Sequence, residues 1–96
     1  MVLNKYKLNL PHAVRNLIQK LHPDIKRKIR AALEMILENP TIGKALKEEL
    51  EGLWSFRVGK FRIIYRVSGN KTLDIIAIGP RMNIYRETFY LVKKEN

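Results

Sequence analysis

The sequence predicts an α+β domain built from an N-terminal strand, an antiparallel helical hairpin and a three-stranded antiparallel β-meander forming a twisted sheet. Three observations carry this. Apolar residues recur at helical spacing between Val14 and Leu37. After Gly52 the period changes to two, as in half-buried strands. Turn-forming residues then punctuate the chain at Gly59-Lys60 and at Ser68-Gly69-Asn70-Lys71. Helices in one stretch and strands in the next favour helices packed on one face of an antiparallel sheet.

Val2 to Leu10 alternates in part, with Tyr6, Leu8 and Leu10 set against Lys5, Lys7 and Asn9, and reads as the first strand. Pro11 suits a helix start, where its missing N–H costs nothing. Val14, Leu17, Ile18 and Leu21 follow, and Pro23 ends this first helix near Leu21. Pro23 and Asp24 open a second helix. Its stripe is Ile25, Ile29, Ala32, Leu33, Ile36 and Leu37, and Asn39-Pro40 stops it. Lys26, Arg27, Lys28 and Arg30 lie on its far side, a pattern more often solvated than bound. Residues 41–51 read as a connector with a short helical turn around Ala45, Leu46 and Leu50.

In the meander, Trp54, Phe56 and Val58 alternate with Ser55 and Arg57. Gly59-Lys60 fits a two-residue type II′ turn, with glycine first. That turn pairs Val58 with Phe61, Arg57 with Arg62, Phe56 with Ile63 and Trp54 with Tyr65. The apolar members belong against the helices. The other face holds Ser55, Arg57, Arg62, Ile64 and Arg66. Leu73 to Gly79 reads as a central strand ended by Pro80. A two-residue second turn would set Arg62 opposite Ala77 and Ile64 opposite Ile75, bringing Arg81 to the arginine end; a four-residue turn would shift that register. Residues 84–94 fit a short helix or a last strand equally.

Two arginines directly opposite each other repel and destabilise a sheet, and no acid occurs from 52 to 73. Guanidinium groups bind phosphate through paired hydrogen bonds, so Arg57 and Arg62 point to a phosphate clamp ahead of the alternative, two arginines splayed into solvent on an exposed sheet face. Arg81 and Tyr85 are close enough in sequence to join it, and Lys60 adds charge in the turn. The composition agrees. The net charge is +10, from 19 Lys and Arg against 9 Asp and Glu, which favours nucleic acid, acidic proteins or anionic surfaces as partners. Ninety-six residues suffice for one domain, 1–96.

Several chemistries are excluded or unsupported. With no cysteine there is no disulfide framework, thiol nucleophile or thiolate metal site. His12 and His22 lack metal-ligand spacing; they read as a first-turn surface residue and a cap beside Pro23. Glycine-rich phosphate loops, nucleophile elbows and paired cleft carboxylates are missing, and Glu48, Glu49 and Glu51 read as a solvated connector. No cofactor and no metal are expected. No apolar run matches a membrane span or a signal-peptide core, so a cytoplasmic location is expected.

The run from Glu49 to Val67, with Arg57-Val58-Gly59-Lys60-Phe61-Arg62-Ile63-Ile64-Tyr65 at its centre, resembles the RelE/ParE superfamily of toxins. So does Ile76 to Arg81 followed by Ile84-Tyr85. The resemblance covers nearly the whole chain and is closer to RelE. It implies the toxin of a type II toxin–antitoxin pair: a ribosome-dependent endoribonuclease that cuts messenger RNA without a metal, by 2′-OH attack on the adjacent phosphate. By motif position it makes Arg57, Arg62, Arg81 and Tyr85 the catalytic set, with Lys60, Arg66 and Ser55 touching RNA. It implies a cognate antitoxin, messenger RNA on the ribosome and 16S ribosomal RNA as partners. Two departures bear on cleavage. Ser55 stands where many members carry Lys or Arg, and Pro80 where several have His or Lys. A ParE-like poison of DNA gyrase and a non-catalytic nucleic-acid-binding member are the alternatives.

Overall fold

The computed structural model describes residues 6–80, 84–86 and 88. Strand β1 (Lys7–Asn9) leads into helices α1 (His12–Gln19) and α2 (Pro23–Glu38). A 3-10 turn (Pro40–Ile42), strand β2 (Lys44–Ala45) and a second 3-10 turn (Glu48–Leu50) follow. Strands β3 (Trp54–Val58), β4 (Phe61–Ser68) and β5 (Thr72–Pro80) complete a five-stranded sheet in the order β1-β5-β4-β3-β2. β1 runs parallel to β5 and the remaining pairs are antiparallel. The α+β class and the meander are as the sequence predicts. The connector, however, contributes a strand as well as short turns, and β1 closes the opposite edge of the same sheet.

Local chemistry sets the helix limits. α1 ends at Gln19, two residues before the expected Leu21, as Lys20 and Leu21 turn their N–H groups back to Leu17 and Ile18. His22 caps α2: its Nδ1 accepts the backbone N–H of Asp24 at 3.1 Å, satisfying one of the helix's orphan donors. Arg27 pairs with Asp24 one turn along. At the other end Asn39 leaves helical geometry, its side chain accepts from Thr41 and Pro40 follows.

The helices pack on one face of the sheet. Ile29 and Ile36, both fully buried, meet Ile63, Tyr65, Leu73 and Ile75 there. Truncating one such isoleucine to alanine costs about 2–5 kcal/mol. The other face is covered too. Leu53, Ile64, Ala77 and Ile84 form a smaller cluster, joined by Leu46, Leu50 and Tyr85. Residues 84–86 and 88 are helical, and Thr88 donates to the Ile84 carbonyl at 2.7 Å. The undecided C-terminal stretch is therefore helical where it is described.

The β4–β5 register differs from the two-residue expectation. Ser68 pairs with Thr72 across a three-residue loop, with Asn70 (φ 62°) and Lys71 (φ 54°) in the left-handed region. A bulge between Ile64 and Tyr65 then leaves Ile76 without an opposite residue. Tyr65 pairs with Ile75, Ile64 with Ala77 and Arg62 with Gly79. Ala77 thus shares the arginine face, while Ile75 belongs to the helix face. Among the described residues no helix is long and apolar enough to cross a membrane.

Candidate nucleic-acid interface

The β3–β4 ladder has the register read from its turn: Val58 opposite Phe61, Arg57 opposite Arg62, Phe56 opposite Ile63 and Trp54 opposite Tyr65. Gly59, at φ 59°, takes the left-handed first turn position and leaves the two arginines side by side. They avoid each other by burial. Arg57 is exposed and bends toward the turn, its Nε donating to the Gly59 carbonyl at 3.3 Å. Arg62 is half-buried and lies inward along the sheet.

Arg62 organises a three-residue cluster. Its Nη1 donates to Ser55 Oγ at 3.2 Å, and that oxygen lies 3.1 Å from the Tyr85 hydroxyl. The guanidinium carbon sits 5.8 Å from the Tyr85 ring centre, within cation–π range. Its Nε is buried and has no hydrogen-bond partner. Among the described residues no carboxylate pairs with Arg62. A desolvated donor left unpaired costs about 1–3 kcal/mol, more for a charged group. The cluster therefore carries a positive charge that no described carboxylate neutralises, the condition an oxyanion relieves.

Ser55 sits at the centre of this cluster. It is only 2% exposed, so its hydroxyl joins Arg62 to Tyr85 and does not face solvent. Lys60 is exposed in the turn at the Arg57 end. Arg66 is on the same face but four residues along β4, about 13 Å from Arg62 at strand rise, and its Nε pairs with Asp74 Oδ2 at 3.8 Å. It stands apart from the cluster. Arg81 lies outside the described residues.

Sequence reasoning missed the role of Tyr65. Period two placed it against the helices, which is correct, but its hydroxyl is a junction. It donates to the Pro40 carbonyl at 2.6 Å and accepts from the Gly43 N–H at 3.1 Å, tying the connector to the sheet. Burial raises the Tyr65 phenol above its ordinary value, partly offset by the Gly43 N–H. The only signal was a glycine three residues after Pro40. A Cβ on that glycine would meet the Tyr65 hydroxyl at 2.5 Å and the Ser55 carbonyl at 2.8 Å.

The family model described as the ParE toxin of the type II toxin–antitoxin system parDE matches residues 9–85. The chain belongs to the RelE/ParE superfamily of toxins. This RelE/ParE toxin is 42% identical over 53 residues to Toxin RelE of Mycobacterium tuberculosis, covering 53% of the chain and 55% of that protein, so the match spans about half the length of that relative. It is 31% identical over 84 residues to Toxin RelG of the same organism, covering 84% of the chain and 97% of that protein. Its fold matches that of the toxin–antitoxin complex RelBE2 from Mycobacterium tuberculosis with a TM-score of 0.70 at 29% identity, over 80% of this chain and 99% of that one. The matching family model carries the ParE name and the relatives carry RelE names; within the superfamily the toxin is closer to RelE.

Proposed function

We propose that this toxin is a RelE-like, ribosome-dependent endoribonuclease that arrests translation by cutting messenger RNA. The observation that carries the reading is the Arg62–Ser55–Tyr85 cluster, whose guanidinium pairs with no carboxylate among the described residues. In the proposed reaction the 2′-OH of a nucleotide attacks its own 3′ phosphate. The bond from phosphorus to the 5′ oxygen of the next nucleotide breaks, leaving a 2′,3′-cyclic phosphate and a 5′-OH. The attacking hydroxyl gives up a proton and the leaving oxygen takes one. Tyr85 is the proton-handling group in this scheme. Arg62 meets the negative charge that builds on the phosphoryl oxygens, where preorganised donors contribute most. Arg57 and Lys60, exposed at the same end, hold flanking phosphates; Arg81 is assigned to the same set by motif position, and Arg66 to a more distant phosphate. Ser55 aims Arg62 and Tyr85 at a common point. The donor set of guanidinium, hydroxyl and phenol suits a reaction carried by charge stabilisation and proton transfer, without a metal.

The same reading assigns a cytoplasmic location, contacts to 16S ribosomal RNA and a cognate antitoxin. Membership of a toxin–antitoxin family and similarity to a protein solved as a toxin–antitoxin complex support the antitoxin. Primer extension on messenger RNA from translating ribosomes tests the proposal: induction of the toxin yields cuts within A-site codons, lost in Arg62→Ala. Intact messages under full toxicity refute it. The name carried by the family model supports a second reading, a gyrase poison; arrested supercoiling with normal translation would select it. Ser55 and Pro80, the two departures from the motif, support a third, a non-catalytic nucleic-acid-binding member, marked by RNA binding with neither effect.

A further inference from the structure

We infer that Lys44 is a phosphate-binding residue of this same face, supplying from β2 a cation that Ser55 does not supply from β3. The inference rests on the reading of the face as an RNA site and names a contact within it. The first support is register. Lys44 pairs with Ser55 and Ala45 with Trp54. Paired residues on neighbouring strands share a face, and Trp54 packs with the helix-side core. Ala45 therefore looks toward the helices and Lys44 toward Arg62 and Tyr85. Directly opposed residues in an antiparallel pair have Cβ atoms about 4.5–5.5 Å apart. The Lys44 stem thus starts beside a residue whose hydroxyl is shared by Arg62 and Tyr85. Its flexible four-carbon stem allows the ammonium to follow a bound anion.

The second support is the fixing of so short a strand. The Gly43 N–H is held by the Tyr65 hydroxyl at 3.1 Å, and the Leu46 N–H by the Leu53 carbonyl at 2.9 Å. Gly43 lies so close to the Ser55 carbonyl that no side chain fits there. Lys44 is thereby clamped from both sides next to the cluster. The third support is charge. Lys44 is exposed and pairs with no carboxylate among the described residues. A lysine on an edge strand commonly serves only to discourage edge-to-edge pairing; that role needs charge of either sign, whereas phosphate binding needs positive charge.

The experiment measures binding of a non-cleavable 2′-O-methyl RNA oligonucleotide to the purified full-length toxin across a salt series. The variants are Lys44→Met, Lys44→Arg and Lys44→Glu, with Lys28→Met on the outer face of α2 as the control. Each phosphate contact on a single strand contributes about 0.7 to the slope of log affinity against log salt. Lys44→Met lowers the slope by about that amount, Lys44→Arg restores it, Lys44→Glu weakens binding further, and Lys28→Met leaves it unchanged. An unchanged slope in Lys44→Met, an equal loss in Lys28→Met, Lys44→Glu binding like wild type, or no RNA binding by the wild type would each overturn the inference. Ribosome cleavage, read in parallel, separates the two claims: a Lys44-dependent slope without A-site cuts keeps the contact and removes the nuclease.

Discussion

Replacing Tyr65 with phenylalanine deletes one oxygen and leaves the ring, stacked on Trp54 with centroids 6.4 Å apart, in place. The loss falls on two partners. The Pro40 carbonyl, in a buried residue, loses the donor it holds at 2.6 Å, and the half-buried Gly43 N–H loses its acceptor at 3.1 Å. A buried polar group left unpaired costs about 1–3 kcal/mol. Because Gly43 has some access to water, the sum is about 2–4 kcal/mol by the same scale, a large share of the roughly 5–15 kcal/mol that stabilises a domain. Urea denaturation checks it: the midpoint falls while the slope stays constant. The thermal midpoint drops by about 4–8 °C for each kcal/mol lost. A second signature lies in pH. Burial holds the Tyr65 phenol above the ordinary 10.0 in the folded state. The unfolded chain therefore ionises first, and the stability that the neutral phenol contributes is complete below the unfolded value and lost as pH rises through the folded one. Wild-type stability thus declines above the ordinary tyrosine value, and Tyr65→Phe flattens that decline. A stability change below about 0.5 kcal/mol, the usual range of surface substitutions, would refute the argument that this hydroxyl ties the connector to the sheet.

Arg62→Ala lowers RNA cleavage by about 10²–10³-fold, the range for removing one charge-stabilising donor, yet leaves the melting midpoint little changed, because removal of a buried donor without a partner offsets the lost Ser55 hydrogen bond and Tyr85 contact; single-turnover cleavage and a thermal melt read the two effects separately. Ser55→Ala breaks the link between Arg62 and Tyr85, and a hydrogen bond of about 1 kcal/mol translates to a rate loss of several-fold; combined with Tyr85→Phe the loss is less than additive in a double-mutant cycle, whereas independent effects would separate the two residues. Gly43→Ala forces a methyl against the Tyr65 hydroxyl and the Ser55 carbonyl and destabilises by about 1–3 kcal/mol, as overpacking does, with a lower urea midpoint as the measure.

The legible parts of the fold were those in which one residue decides the geometry. Gly59 fixed the β3–β4 turn, and with it the apposition of Arg57 and Arg62. Pro23 and Asn39-Pro40 bounded α2. The β4–β5 register was not legible, because it depends on a three-residue loop holding Asn70 and Lys71 left-handed and on a bulge at Ile76. The composition of 68–71 marks a turn but not its length, and the bulge has no mark at all, since isoleucine at 76 looks like any other residue of an apolar strand. β2 is two residues long, too short to show a period, and it forms because Gly43 and Leu46 are held by β3, β4 and the residue before them. Ser55 was assigned to the correct face, yet period two gives the face and not what covers it. Its hydroxyl meets Arg62 and Tyr85, the latter contributed by a stretch whose pattern fitted helix and strand alike.

One rung of the β3–β4 ladder carries two cations in different media, Arg57 in solvent and Arg62 half-buried. Salt ions reach the first more freely than the second. At physiological ionic strength an exposed charge is screened within about 8 Å, while a buried one keeps most of its field. Ionic strength then acts on the two stages of an encounter unequally: it slows the arrival of a polyanion drawn in by Arg57 more than it loosens one already seated on Arg62.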